Sequence, residues 1–345
     1  MSVFAFDDSG APTDAILYTT LVILHGCAFS KDIFRKLLPL AGHHYLRIVL
    51  LNRRGYPGSK PLTEEELRLI DGPEEQGHEQ YFGAQAQELA DFLVDFAVKQ
   101  HLPTASGDSG GIALMGWSAG NACTLSLLSQ PQAIDESTRK ALEPFLRTMV
   151  IFDAPAYIAG RSLARSGVFI FSNATYTDEE RFRKFADYAG AYFEHPSVAS
   201  HNIKDLQIVL DSKQLKTSTT SRFTSDEYRK LVWPEAAMKV DVPAMTYPVQ
   251  EFERWMKRAL FEDDLAQEFW PSLKVEIIWC EHSTAPCVEA GWIFEELRKE
   301  YDDKGVVGRP MRITMMPGAN HFPHWDQPEK TIALFANVIA GVRGS

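Results

Sequence analysis

The stretch Ala113–Cys123, "ALMGWSAGNAC", sets a serine between two glycines, after a short apolar run and before a second run of small and apolar residues. A strand that turns sharply into a helix strains its central residue and tolerates only small neighbours. Gly116 and Gly120 therefore have a steric reason to flank Ser118. The pattern predicts a strand, a tight elbow carrying Ser118, and a helix. Gly-x-Ser-x-Gly also arises by chance, so its surroundings decide whether Ser118 is a nucleophile or only a small residue in a turn.

Upstream, "TTLVILHG" and "LRIVLLNRRG" are apolar runs closed by glycine, as expected of strands buried on both faces. Between them "KDIFRKLLPLAGHH" reads as a short helix. Before the elbow, Phe82, Leu89, Phe92, Leu93 and Phe96 recur at three- and four-residue steps and predict an amphipathic helix. Downstream, "RTMVIFDAP" is another buried strand. From about 156 to 270 the β-runs stop and helix-like pieces rich in aromatics take over. Alternation then resumes with "LKVEIIWCE", the helical "VEAGWIFEELRKEY", the strand "MRITMMPG" and a last helix, "QPEKTIALFANVIAGV". Strands alternating with helices predict an α/β fold with a mostly parallel sheet covered on both faces. The expected division is a core made of 1–155 and 271–345, interrupted by a helical cap at 156–270.

The 345 residues, 45% hydrophobic and 23% charged, are those of an ordinary globular chain. A net charge of −11 argues against a nucleic-acid partner, because phosphate binding needs clustered Lys and Arg and the Arg53-Arg54 pair does not supply that. Four scattered cysteines do not form a disulfide framework, and Cys280, Cys287 and His282 match no zinc spacing; no metal and no cofactor are expected. The amino terminus has no basic region followed by an apolar run, and no window approaches a membrane span. The expectation is a cytoplasmic protein.

A serine hydroxyl is a weak nucleophile at neutral pH and needs a base, a group that orients the base, and donors for the developing oxyanion. The base candidate is His321 in "PGANHFPHWDQP", just past the last strand; His324 lies nearer the final helix. For the oxyanion, "LHGCAFS" closes a strand at His25-Gly26 and turns the Cys27 N–H inward. Ala119, immediately after the serine, supplies the second donor.

The ordered set "LHGCAFS", "NRRGYPGS", "GWSAG" and "PGANHFPHWDQP" resembles the α/β-hydrolase superfamily, in particular its cap-bearing esterases, from about Thr20 to the carboxyl terminus. The resemblance implies an eight-stranded, mostly parallel sheet, a Ser-acid-His triad, no cofactor, and a site between sheet and cap. The acid departs from the usual pattern. In "IIWCEHSTAP" Cys280 stands for the glycine and Ser283 for the aspartate of the commonest arrangement, and serine cannot carry the charge. Relatives that place the acid after the preceding strand point to Asp153 in "VIFDAP". Glu281 is the alternative, and another carboxylate such as Glu289 stays open.

Acyl transfer to water from an apolar small-molecule ester or lactone, aromatic and macrocyclic ones included, is the expected reaction. A serine cannot form the alkyl-ester intermediate of dehalogenase or epoxide-hydrolase relatives, and an acid at Asp153 resembles the placement in some fungal lactonases. Trp117 is the expected substrate contact. The aromatics Phe169, Phe171, Tyr188, Tyr192, Phe193, Trp233, Tyr247 and Trp255 are candidates for the pocket wall. Two other readings stand beside this one: a ligand-binding protein with vestigial catalysis, motivated by Ser283, and a carbon-carbon or cyanohydrin lyase using the same groups.

Overall fold

Seven strands make one sheet in the order β1-β3-β2-β4-β5-β6-β7. They are β1 Phe6–Asp8, β2 Thr19–Leu24, β3 Leu46–Leu51, β4 Ile112–Trp117, β5 Leu146–Phe152, β6 Lys274–Cys280 and β7 Met311–Met316. The computed structural model describes residues 3–13, 15–162, 170 and 175–341. Every pairing is parallel except β1 with β3. The eighth strand implied by the resemblance is not found among the described residues. Among the described residues ahead of β2, the three of β1 pair into the sheet.

The central strands are buried on both faces, so their side chains split by alternation. Leu21, Ile23, Ile48, Leu50, Ala113 and Met115 pack with Ile33, Phe34, Leu37 and Phe335 on one side. Val22, Leu24, Val49, Leu51 and Leu114 pack with Phe82, Leu89 and Leu93 of the helix Glu75–Lys99 on the other. The segment "KDIFRKLLPLAGHH" forms a 3-10 helical run, Lys31–His44, with Pro39 inside it. Proline lacks the N–H that an α-helix interior needs.

Between β5 and β6 no strand is found among the described residues. The chain instead forms the helices Asp178–Ala189, Ser225–Leu231, Pro234–Ala244 and Val249–Phe261, with shorter turns. Thr177 with Glu180, and Thr224 with Glu227, form capping boxes that start the first two. An isolated antiparallel bridge, Phe29 to Val232, ties this insertion to the loop after β2. Because β2 and β4 to β7 run the same way, the loops that follow them gather at one edge of the sheet, where ligands of such sheets bind.

Several aromatics expected to line a pocket are packing residues. Trp255 lies 5.1 Å from Phe82, Tyr247 stacks on His78 at 3.4 Å, and both therefore anchor the insertion to the helix Glu75–Lys99. Phe193 packs on Tyr188, the Tyr192 hydroxyl donates to Asp326, and the Trp233 indole donates to Lys230 O. Phe169 and Phe171 lie outside the described residues. No helix among the described residues is long and apolar enough to cross a membrane.

Candidate active site

The elbow forms where the glycine spacing places it. Ser118 sits between the end of β4 and the helix Gly120–Ser129 at φ 53, a left-handed conformation that non-glycine residues rarely adopt. Its N–H donates to Phe152 O at 3.0 Å, and Asn121 donates back to Ser118 O from both backbone and side chain. The neighbouring glycines are sterically required. A Cβ at Gly116 would lie 2.7 Å from Asn121 Cα, and one at Gly120 would lie 2.5 Å from His25 O. A Cβ at Gly26 would come within 2.8 Å of Ser118 Cβ, so the loop after β2 passes directly against the serine.

That loop brings Cys27 beside the elbow. Neither the Cys27 N–H nor the Ala119 N–H donates to a protein acceptor among the described hydrogen bonds. Both residues are buried, and Ala119 opens a helix whose first N–H groups have no intrahelical partner. Both N–H groups are thus buried donors without a protein acceptor among the described hydrogen bonds.

One of the candidate carboxylates lies beside His321. Asp153 leaves the end of β5 at φ 44, fully buried, with its N–H bound to Ile278 O at 2.7 Å. Its Oδ2 lies 2.6 Å from His321 Nδ1 and accepts the Ser283 hydroxyl at 2.5 Å; its Oδ1 accepts the Cys280 N–H at 2.9 Å. Glu281 points elsewhere, accepting from the Gly318 N–H at 2.8 Å, and Glu289 lines a surface pocket with His201 and Trp292. Ser283, which stands where the usual acid would, is a hydrogen-bond partner of Asp153 and lies 3.4 Å from His321 Nδ1. The sequence offered no signal for that role beyond its alignment with the missing aspartate.

With Nδ1 donating to Asp153, the imidazole has Nε2 available as a base. Trp117 ties the two ends of the chain together: its indole N–H donates to His321 O at 3.1 Å, and its ring lies 4.7 Å from the imidazole. A Ser118 Oγ to His321 bond is not among the hydrogen bonds of the described residues. Such contacts are often long before substrate binds. Trp117 is itself 1% exposed, enclosed by Phe29, Phe34, Phe322 and His324, and its indole bond supports the histidine loop.

His324 is excluded as the base by its surroundings. It is fully buried, stacked on Phe34 at 4.0 Å, and neither ring nitrogen has a partner. Burial, and then the charges of His321 and Lys36, hold it well below the usual 6.5. The unfolded chain therefore takes up a proton there before the folded one does. Stability is fully present above about pH 6.5 and falls as the pH drops below it, by at most about 1.4 kcal/mol per pH unit for this group. Urea unfolding at pH 7.5 and 5.5 checks this: His324→Phe is expected to lose less stability on acidification than the wild type.

Asp153, Cys287 and His321 offer ligand-type atoms within 4.8 Å of one another. The 2.6 Å between Asp153 and His321 is a hydrogen-bond distance, whereas two ligands on one tetrahedral zinc stand about 3.4 Å apart. Burial, followed by the Asp153 charge, pushes the Cys287 thiol well up, which keeps it a neutral neighbour of the imidazole.

A model of the alpha/beta hydrolase family matches residues 21–334. The chain belongs to that family. No curated protein matches it. Among solved structures it is similar to a bromoperoxidase from Bacillus anthracis, 12% identical over 96% of this chain and 94% of the other, TM-score 0.49. It is also similar to a lipase-esterase related protein from Clostridium acetobutylicum ATCC 824, 13% identical over 97% and 99%, TM-score 0.49. A third is the N-acyl homoserine lactonase AidH complexed with N-butanoyl homoserine, 12% identical over 99% and 95%, TM-score 0.49.

Proposed function

We propose that this protein is a serine hydrolase that cleaves a small carboxylic ester or lactone through an acyl-enzyme on Ser118. The observation that carries this reading is the buried Asp153 carboxylate 2.6 Å from His321 Nδ1, at the sheet edge that also holds a serine at φ 53. His321 Nε2 takes the Ser118 proton as Oγ attacks the carbonyl carbon. The N–H groups of Cys27 and Ala119 receive the oxyanion, and the imidazolium returns its proton to the leaving alkoxide. Water then repeats the sequence to release the acid. No cofactor is needed for these steps.

Ser118 is only 9% exposed, which favours a small apolar substrate held between the sheet edge and residues 156–270, acting as a cap. The Asp153 carboxylate beside His321 weighs against a vestigial, binding-only scaffold. All four cysteines are free and buried, in keeping with a cytoplasmic setting. A fluorophosphonate probe followed by peptide mass spectrometry is expected to modify Ser118, and a panel of p-nitrophenyl esters and lactones then ranks the acyl groups. An enzyme that turns over esters while Ser118 stays unlabelled would refute the acyl-enzyme.

A further inference from the structure

An oxyanion hole works only if its donors are already aimed when charge develops. Ala119 is fixed by the elbow, but Cys27 rides on the loop that leaves β2. Its neighbour Ala28 sits at φ 65, a conformation that persists in a non-glycine residue only when the surroundings over-determine it. Those surroundings come from distant parts of the chain.

The Gly26 carbonyl and the Cys27 N–H share one planar peptide, so holding the carbonyl sets the direction of the N–H. That carbonyl accepts from Arg53 Nη2 and from His25 Nδ1, each at 2.9 Å. His25 can donate there because its Nε2 accepts the Arg53 N–H at 3.0 Å. Burial, and then the Arg53 charge, keep this imidazole neutral by holding it well below its usual value. The following peptide is held through the Ala28 N–H, which donates to the Tyr56 hydroxyl at 2.9 Å.

Both arms end on one carboxylate. Asp241 Oδ1 lies 2.7 Å from Arg53 Nη2, and Oδ2 accepts the Tyr56 hydroxyl at 2.5 Å. Asp241 is buried and belongs to the helix Pro234–Ala244 of the insertion, 213 positions from Ala28. Just before that helix the insertion also binds the loop directly, with Trp233 N–H donating to Ala28 O at 2.7 Å and Ser30 N–H to Leu231 O at 2.8 Å.

We propose that Asp241 is a positioning residue for the reaction: by bridging Arg53 and Tyr56 it holds the Gly26–Ala28 loop so that the Cys27 N–H meets the developing oxyanion. This rests on the reading of Ser118 given above. The inserted helices thereby complete the oxyanion hole as well as covering it.

Tyr56→Phe removes the hydroxyl without stranding a charge, and Asp241→Asn keeps the shape while removing the charge. With p-nitrophenyl butyrate each is expected to lower kcat about 10- to 100-fold while KM moves less than about twofold. Affinity for an aryl trifluoromethyl ketone, which forms a tetrahedral adduct on the serine, is expected to fall in step with kcat/KM. A folded Tyr56→Phe with wild-type kcat and ketone affinity overturns the proposal. Amide hydrogen exchange over Leu24–Ser30 gives a readout that does not depend on acylation: faster exchange in folded Tyr56→Phe supports the clamp, and unchanged exchange overturns it. A wild type that neither hydrolyses the ester nor reacts with a fluorophosphonate overturns the reading of Ser118, and the exchange measurement then decides the clamp separately.

Discussion

Ser118→Ala is expected to lower kcat for the best p-nitrophenyl ester by about 10⁶-fold, the scale seen when the nucleophile of a serine hydrolase is removed. The loss is large because the other groups act through the serine: without Oγ the imidazole has no proton to accept and the Cys27 and Ala119 donors have no adduct to stabilise. The fold should survive. Ser118 makes its recorded hydrogen bonds through its backbone N–H and carbonyl, and alanine leaves both in place. Its φ of 53 is as costly for alanine as for serine, so melting temperatures should agree within a few degrees. Residual turnover within about 100-fold of wild type would place the chemistry on another group.

Asp153→Asn is the second large effect, about 10⁴-fold in kcat. The carboxylate accepts three hydrogen bonds, from Cys280, Ser283 and His321, so both oxygens are used as acceptors. An asparagine must turn its NH₂ toward one of these donors. If it faces Nδ1, the imidazole is driven into the tautomer that places its proton on Nε2, where it can no longer receive one from Ser118. If it faces the Cys280 N–H, two donors meet in a buried site. Either arrangement also removes the charge that stabilises the imidazolium. Glu281→Gln serves as the contrast and should stay within about threefold of wild type, since Glu281 binds the Gly318 N–H at the surface. Near-full activity of Asp153→Asn would show that the acid lies elsewhere.

The strands buried on both faces were readable because their apolar runs are continuous, and six of the seven strands follow the predicted segments. The strand β1 was not, because "FDD" is short and acidic. Asp8 is accommodated there by Arg47 of the neighbouring strand, a partner 39 positions away. The elbow, His321 and the loop after β2 are local patterns, and all three follow parallel strands at one edge of the sheet. The choice between Asp153 and Glu281 needed three dimensions, since both follow strands that end at the same edge and only the backbone turn at φ 44 aims one of them at the imidazole. Asp241 and Tyr56 were invisible for a similar reason. They are 185 positions apart, and the segment "PEAAMKVDVPA", with proline near both ends, gave no sign that one of its carboxylates is buried. Aromatic richness in the insertion misled in the opposite sense, because Tyr247 and Trp255 meet the helix Glu75–Lys99 instead of a cavity.

The position of Asp153 at the end of β5 bears on how such chains are sorted. A filter that demands an aspartate at the usual position in the turn after β6 would discard this sequence as a dead copy, because it finds Ser283 there. Imidazole responds to where negative charge sits in space and is indifferent to which crossover delivers it. A survey that accepts either address would keep such a chain for assay instead of discarding it.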